Sequence, residues 1–175
     1  MLRHLVATIA LAVVFALPSP VPADLIPPGS RKPLSDVALT DSKGATVNLS
    51  AYKGRVVLLD FWATWCEGCK EEIPWFMEFQ DKYKKTGLTV VGASLDDDGW
   101  KSVKPYLRRH KINYRIVIGT SESAKQFGVD KGMPVTLLID RAGKIADVNL
   151  GMVDKSAFQS EIESLLQETP SPSSH

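Results

Sequence analysis

The 175-residue sequence is poor in cysteine and histidine, with two of the first and three of the second. Two cysteines cannot complete a four-cysteine zinc centre or build a multi-disulfide scaffold, and a core of this size needs no such staple. Neither sign of charge is in excess: 21 Lys and Arg stand against 20 Asp and Glu, a formal net charge of +1. That balance excludes the basic surplus with which non-specific nucleic-acid binders displace counterions, so no nucleic-acid partner is expected. Internal repeats are absent too. What is present, 44% hydrophobic and 23% charged residues, is ordinary globular composition and excludes wholesale disorder. The length fits one domain with tails.

The ends read differently from the middle. Arg3 precedes an uncharged apolar run from Leu5 to Leu17, and Val21-Pro22-Ala23 offers small residues before Asp24. The run is shorter than the ~20 residues that cross a bilayer comfortably, which fits residues 1–23 as an export signal, or as an N-terminal membrane anchor if it is not cleaved. Pro18, Pro20, Pro22, Pro27, Pro28 and Gly29 break the chain after it, so 24–36 is expected to be a linker. The domain is expected over 37–168, and 169–175, rich in Ser and Pro, as a disordered tail. Export would place the domain in a periplasmic or other extracytoplasmic compartment, where a disulfide can persist.

Within the domain, Val37–Leu39 and Thr46–Leu49 flank the turn signal Asp41-Ser-Lys-Gly44 and predict a hairpin. Val56–Phe61 and Leu88–Leu95 read as strands buried on both faces, and Tyr114–Ile118 as a further strand. Residues 67–85 have a helical apolar face of Ile73, Phe76, Met77 and Tyr83, whereas Pro105 predicts a kink or late start in a helix carrying Trp100, Val103 and Leu107. Ser121 is a candidate cap for a short helix ending before Gly128. A hairpin of Val135–Ile139 and Lys144–Leu150 precedes a helix capped by Asp154. Strands alternating with helices, bracketed by hairpins, predict an α/β fold with a mixed central sheet flanked by helices.

Cys66-Glu67-Gly68-Cys69 falls where a buried strand gives way to a helix. A sulfur there faces unpaired backbone N–H groups and the positive end of the helix dipole, which stabilise a thiolate. Thiols so placed have pKa values lowered from about 8.5 towards roughly 3.5–7.5. The other sulfur, one turn on, can resolve a mixed disulfide. A structural disulfide closing so small a loop would stabilise little. A zinc site would need two more ligands, and His110 is the only histidine inside the domain.

The run Asp60-Phe-Trp-Ala-Thr-Trp-Cys-Glu-Gly-Cys69, with Pro74 downstream and Gly132-Met133-Pro134 before a strand, resembles the thioredoxin superfamily over roughly residues 33–167. The N-terminal hairpin, the Lys53-Gly54 turn and a central helix–strand insertion at about 98–118 are similar to the exported TlpA/ResA/DsbE-type branch. The resemblance implies Cys66 as attacking thiolate, Cys69 as resolving thiol and Asp60 as a desolvated carboxyl exchanging a proton with Cys69. It implies a substrate-binding surface of Trp65, Glu67, Gly68, Met133 and Pro134, the last in the cis form and leaving the Met133 backbone to pair with a substrate strand. No cofactor beyond a Cys66–Cys69 redox disulfide is implied, and no metal. The implied partners are proteins with disulfides or thiols, apocytochrome c among them, and a membrane thiol reductant of the DsbD/CcdA type.

Three departures stand out. Gly68 occupies a position where proline is common, Gly92 stands where thioredoxins carry a buried lysine, and the acid Glu67 adjoins the nucleophile. Two alternatives compete with this reading. A peroxiredoxin-like peroxidase would want a threonine at Ala63 and a proline at Leu59; a copper-binding thiol module lacks a His or Met ligand near the pair in sequence. Asp96-Asp-Asp98 is expected to complement a helix dipole, and Lys101, Lys104, Arg108, Arg109 and Lys111 to form a solvated face, with His110 on the surface.

Overall fold

The computed structural model describes residues 25–35 and 37–169. The expected export signal or anchor at 1–23 lies outside the described residues, as do 170–175 of the expected tail.

Five strands form one mixed sheet: β1 (Val56–Trp62), β2 (Leu88–Ser94), β3 (Arg115–Ile118), β4 (Val135–Ile139) and β5 (Ile145–Leu150). Their order is β3-β2-β1-β4-β5, with β1, β2 and β3 mutually parallel and β4 antiparallel to both β1 and β5. Every residue of β1 and of β4 is buried, which is why both read as continuous apolar runs and not as alternating ones. The parallel pairs need crossovers, supplied by helices α1 (Glu67–Tyr83) and α2 (Trp100–His110). α3 (Ser121–Ala124) and α4 (Lys155–Gln167) complete the set.

One face of the sheet packs Val56, Leu58, Val90 and Leu138 against Phe76 and Phe79 of α1 and Phe158, Ile162 and Leu165 of α4. The other packs Val57, Leu59, Phe61 and Leu137 under Leu39, Val47, Ala124 and Phe127. A third cluster, at the C-terminal end of β1, joins Trp62, Ile73, Val103 and Tyr106 to both cysteines. The α4 cap is Asp154, whose Oδ1 accepts from the N–H groups of Ser156 and Ala157. At α3 the cap is Thr120 and not Ser121: the Thr120 hydroxyl accepts from Ser123 N–H, and Gly128 ends the following 3-10 turn at φ 91°.

Residues 25–35 do not behave as the expected linker. Leu25 is buried, Ile26 N–H donates to Ala146, Leu34 N–H to Gly143, and Ile145 N–H to Lys32. The stretch covers the open edge of β5, whose unpaired backbone groups would otherwise face solvent. Arg31, itself buried, forks onto both carboxylate oxygens of Glu168 at 2.7 Å and reaches Asp140 at 3.2 Å, which ties this strap to the end of α4. The N-terminal hairpin is shorter than expected. Its turn closes through Asp41 N–H to Ala45 and Val47 N–H to Leu39, with a single bridge at Thr40–Thr46, after which Asn48 caps a 3-10 turn at Leu49–Tyr52. Thr40 also exchanges both backbone bonds with Ile118, closing the edge at β3. α2 begins at Trp100 and runs through Pro105, so no late start occurs.

Candidate active site

Cys66 is the N-cap of α1 and Cys69 lies in its first turn, and the two form a disulfide. The Cys69 N–H donates to Cys66 Sγ at 3.2 Å. β1 delivers the chain to this point, and α1 leaves it with the Cys69 N–H directed at the sulfur. Cys66 is 6% exposed and Cys69 1%, so the first is the sulfur nearer to solvent. Glu67 is strongly exposed and pairs with Lys70 at 2.6 Å, which offsets the charge it would otherwise place beside the nucleophile.

Asp60 of β1, Glu72 of α1 and Tyr114 just before β3 form a group of buried, mutually interacting polar side chains. Asp60 is fully buried in β1, and among the described residues neither carboxyl oxygen has a hydrogen-bond partner. Burial first, and the nearby Glu72 carboxyl second, push its pKa well above the usual carboxylate range. Glu72, on the inner face of α1, accepts from Val153 N–H at 2.7 Å through Oε1, while burial raises its pKa to about 7. Tyr114 is held well above its ordinary pKa, by burial and then by the Asp60 charge. Asp60 pairs in register with Gly92 on β2 and with Thr136 on β4. A Cβ at Gly92 would stand 2.8 Å from Ile116 Cδ1, 3.0 Å from Trp62 Nε1 and 3.1 Å from Tyr114 Cε2. The space beside Asp60 is therefore already filled by Ile116, Trp62 and Tyr114, and among the described residues no cation pairs with the acid. Glu72 was not singled out in the sequence. The signal was there, a carboxylate at helical spacing on the apolar face of Ile73 and Phe76, masked by the adjoining Glu71.

The Met133–Pro134 peptide bond is cis. Pro134 O accepts from Gly151 N–H, while among the described residues the Met133 backbone N–H and C=O make no hydrogen bond. A Cβ on Gly68 would lie 3.2 Å from Pro134 Cδ, 3.2 Å from Met152 Cγ and 3.4 Å from Met152 Sδ. The structure thus joins Gly68, Met133 and Pro134 around the disulfide and adds Met152, from the loop after β5. Trp65 is 64% exposed and Met152 49%, so Trp65 is not a core residue. The two flank the disulfide with apolar surface open to a partner.

Asp96 departs from its expected role. It does not complement the α2 dipole; it is buried and accepts from Thr64 N–H at 3.0 Å, Thr64 Oγ1 at 2.6 Å and Ser94 Oγ at 2.7 Å. It thereby fixes the loop between β1 and Cys66. Lys101, Lys104, Arg108, Arg109 and Lys111 are exposed along α2, as is His110, whose ring stacks on Tyr106 at 4.1 Å. Methionines distant in sequence come near the pair in space: Met133 packs on the cysteine cluster, and Met152 lies beside the point where a Cβ on Gly68 would stand. Among the described residues no three His, Cys, Asp or Glu side chains gather as metal ligands.

The AhpC/TSA family model matches residues 31–148. The thiol-disulfide oxidoreductase ResA of Geobacillus kaustophilus is 32% identical over 137 residues, 78% of this chain and 77% of the relative. ResA of Bacillus subtilis is 30% identical over 128 residues, 73% of this chain and 70% of its own. Among solved structures, a Chlorobium tepidum protein assigned as thiol:disulfide interchange protein DsbE is 34% identical with a TM-score of 0.67, covering 78% of this chain and 96% of that one.

Proposed function

Because this chain belongs to the AhpC/TSA family, and within it is similar to ResA and DsbE proteins, we propose that it reduces protein disulfides outside the cytoplasm. It is a thiol–disulfide oxidoreductase whose redox centre is the Cys66–Cys69 pair. The observation that carries the thiol–disulfide exchange reading is the placement of Cys66 at the cap of α1, receiving the Cys69 N–H, beside a cis-proline loop and an exposed tryptophan; the reducing direction rests on the similarity to ResA.

In the reduced protein the Cys66 thiolate, held by the amides that open α1, attacks a substrate disulfide. A bond forms from Cys66 to one substrate sulfur, and the other leaves as a thiolate that takes a proton from solvent. The Met133 backbone pairs with the substrate strand, and Trp65 and Met152 cover its apolar flanks. Cys69 then loses its proton to the buried acid pair Asp60 and Glu72 and attacks Cys66 Sγ. This releases the second substrate thiol and restores the Cys66–Cys69 disulfide. A membrane dithiol carrier of the DsbD/CcdA type returns two electrons. Apocytochrome c is a fitting substrate in view of the ResA-type similarity. The reading includes residues 1–23 as an export signal or anchor.

Insulin reduction with dithiothreitol tests the mechanism. Cys66→Ser is expected to lose turnover and trap no mixed disulfide, and Cys69→Ser to lose turnover while accumulating adducts on Cys66. Full turnover by either variant would overturn it. A reduced wild-type protein that consumes hydrogen peroxide rapidly would favour a peroxidase instead, although Ala63 offers no hydroxyl to orient the peroxide.

A further inference from the structure

A pocket of about 260 Å³ opens between Trp65, which precedes Cys66 in the chain, the segment after β2 and the segment leading to Pro134, whose Met133 packs on the cysteine cluster. Its apolar walls are Trp65, Leu95, Val129 and Met133, and its rim carries Asp97, Asp130, Ser121 and Lys125. Lys125 pairs with Glu122 at 2.5 Å and also lies within electrostatic reach of Asp130; against this one cation the two carboxylates Asp97 and Asp130 leave the rim net negative. The volume falls below the roughly 300–1,000 Å³ of pockets that hold whole small molecules, and suits one side chain. Two of its walls, Trp65 and Met133, also belong to the surface along which a substrate strand would run. A residue neighbouring the substrate cysteine therefore comes to lie over its mouth.

We propose that this pocket is a substrate subsite. It takes an apolar side chain next to the reacting cysteine, and Asp97 and Asp130 hold a basic residue beside that side chain. The inference rests on the disulfide-reductase reading and deepens it by naming the substrate class: disulfides whose cysteine adjoins an apolar and then a basic residue. Desolvating the apolar group against Leu95 and Val129 supplies the preference, and the two carboxylates supply a salt-sensitive increment.

The test uses symmetric disulfide dimers of a short peptide, so that attack on either sulfur places the same peptide on Cys66. Each reaction converts one peptide disulfide and two protein thiols into two peptide thiols and the Cys66–Cys69 disulfide. Peptides with Leu then Lys beside the cysteine are compared with Ala–Lys, Leu–Ala and Leu–Asp versions. Each rate is divided by that protein's own rate on hydroxyethyl disulfide. The Leu–Lys peptide is expected to react about tenfold or more faster than Ala–Lys. Filling the pocket with Val129→Trp should bring that ratio close to one, and Asp130→Lys should reverse the order of Leu–Lys and Leu–Asp at low salt. The second variant changes only an exposed residue, so it reports even if the first fails to fold. Equal rates for Leu–Lys and Ala–Lys on the wild-type protein, or an unchanged order in Asp130→Lys, would overturn the subsite. If hydroxyethyl disulfide is reduced in that case, the reductase reading stands; if it is not, both fall.

Discussion

Asp60 and Gly92 face each other across the β1–β2 ladder, and the position opposite a buried, unpartnered carboxyl carries no side chain. Any Cβ there would meet Ile116, Trp62 and Tyr114 at 2.8–3.1 Å. Gly92→Ala is therefore expected to cost about 1–3 kcal/mol through overpacking. Urea unfolding of the oxidised protein checks this, and an unchanged midpoint would mean that the rings relax freely. The same crowding explains why a lysine cannot simply be restored beside Asp60 in this fold.

The raised pKa values of Asp60 and Glu72 set the sign of a stability change with pH. Between the unfolded carboxylate pKa, about 4, and the folded value, the native state holds more protons than the unfolded chain. Stability must then fall as pH rises through this window. For Glu72 the window closes near its folded value of about 7. Unfolding midpoints of the wild-type protein should decline from pH 4.5 to 7, and Asp60→Asn should flatten part of that decline. A wild-type midpoint that rises over this range would contradict the assignment.

On the proposed mechanism the same acids time the resolving step. Cys69 gives up its proton more readily once a neighbouring carboxyl is ionised. The decay of a Cys66 mixed disulfide should accelerate with pH around a midpoint near that of Glu72, about 7. Glu72→Gln should displace that midpoint, whereas the first attack by Cys66 should keep its own profile. Stopped-flow measurement of both phases separates the two.

Asp96 bears on the site without touching the sulfurs. Losing its bonds leaves the buried Ser94 hydroxyl unpaired, at about 1–3 kcal/mol before relaxation, while the part-buried Thr64 donors turn to water. Asp96→Ala should lower stability by roughly that amount and weaken insulin reduction. Asp96→Asn, which keeps one acceptor oxygen, should recover part of both.

Gly68 and Met152 form a testable pair. A methyl group at Gly68 would press on Met152 Cγ and Pro134 Cδ, both at 3.2 Å, and the methionine is the flexible neighbour. Gly68→Ala should be destabilising by less than about 1.5 kcal/mol, and Met152→Ala should relieve it in a double-mutant cycle. Additive effects would show that Met152 is not in contact in solution.

Much of the architecture was legible because period and punctuation agreed. Continuous apolar runs marked β1 and β2, the 3–4 spacing of Ile73 and Phe76 marked α1, and Asp154 marked the start of α4. The cysteines and the proline loop were legible from local motif alone. What escaped depended on distant partners. Prolines at 27 and 28 suggested a linker, yet the edge of β5 recruits that stretch as a strap. Asp96 looked like a helix-start acid until Thr64 was placed beside it, and Met152 lies 84 positions beyond Gly68 in the chain yet within 3.2 Å of where a Gly68 Cβ would stand. Glu72 was hidden because sequence does not distinguish the inward acid from its exposed neighbour Glu71.

The most direct measurement of the central claim is the equilibrium reduction potential of the Cys66–Cys69 couple, titrated against a glutathione or dithiothreitol buffer. A disulfide reductase should sit below about −180 mV, on the reducing side of isomerase-like poise. A value near −120 mV, the strong-oxidant end, would make the protein a disulfide donor and contradict the account.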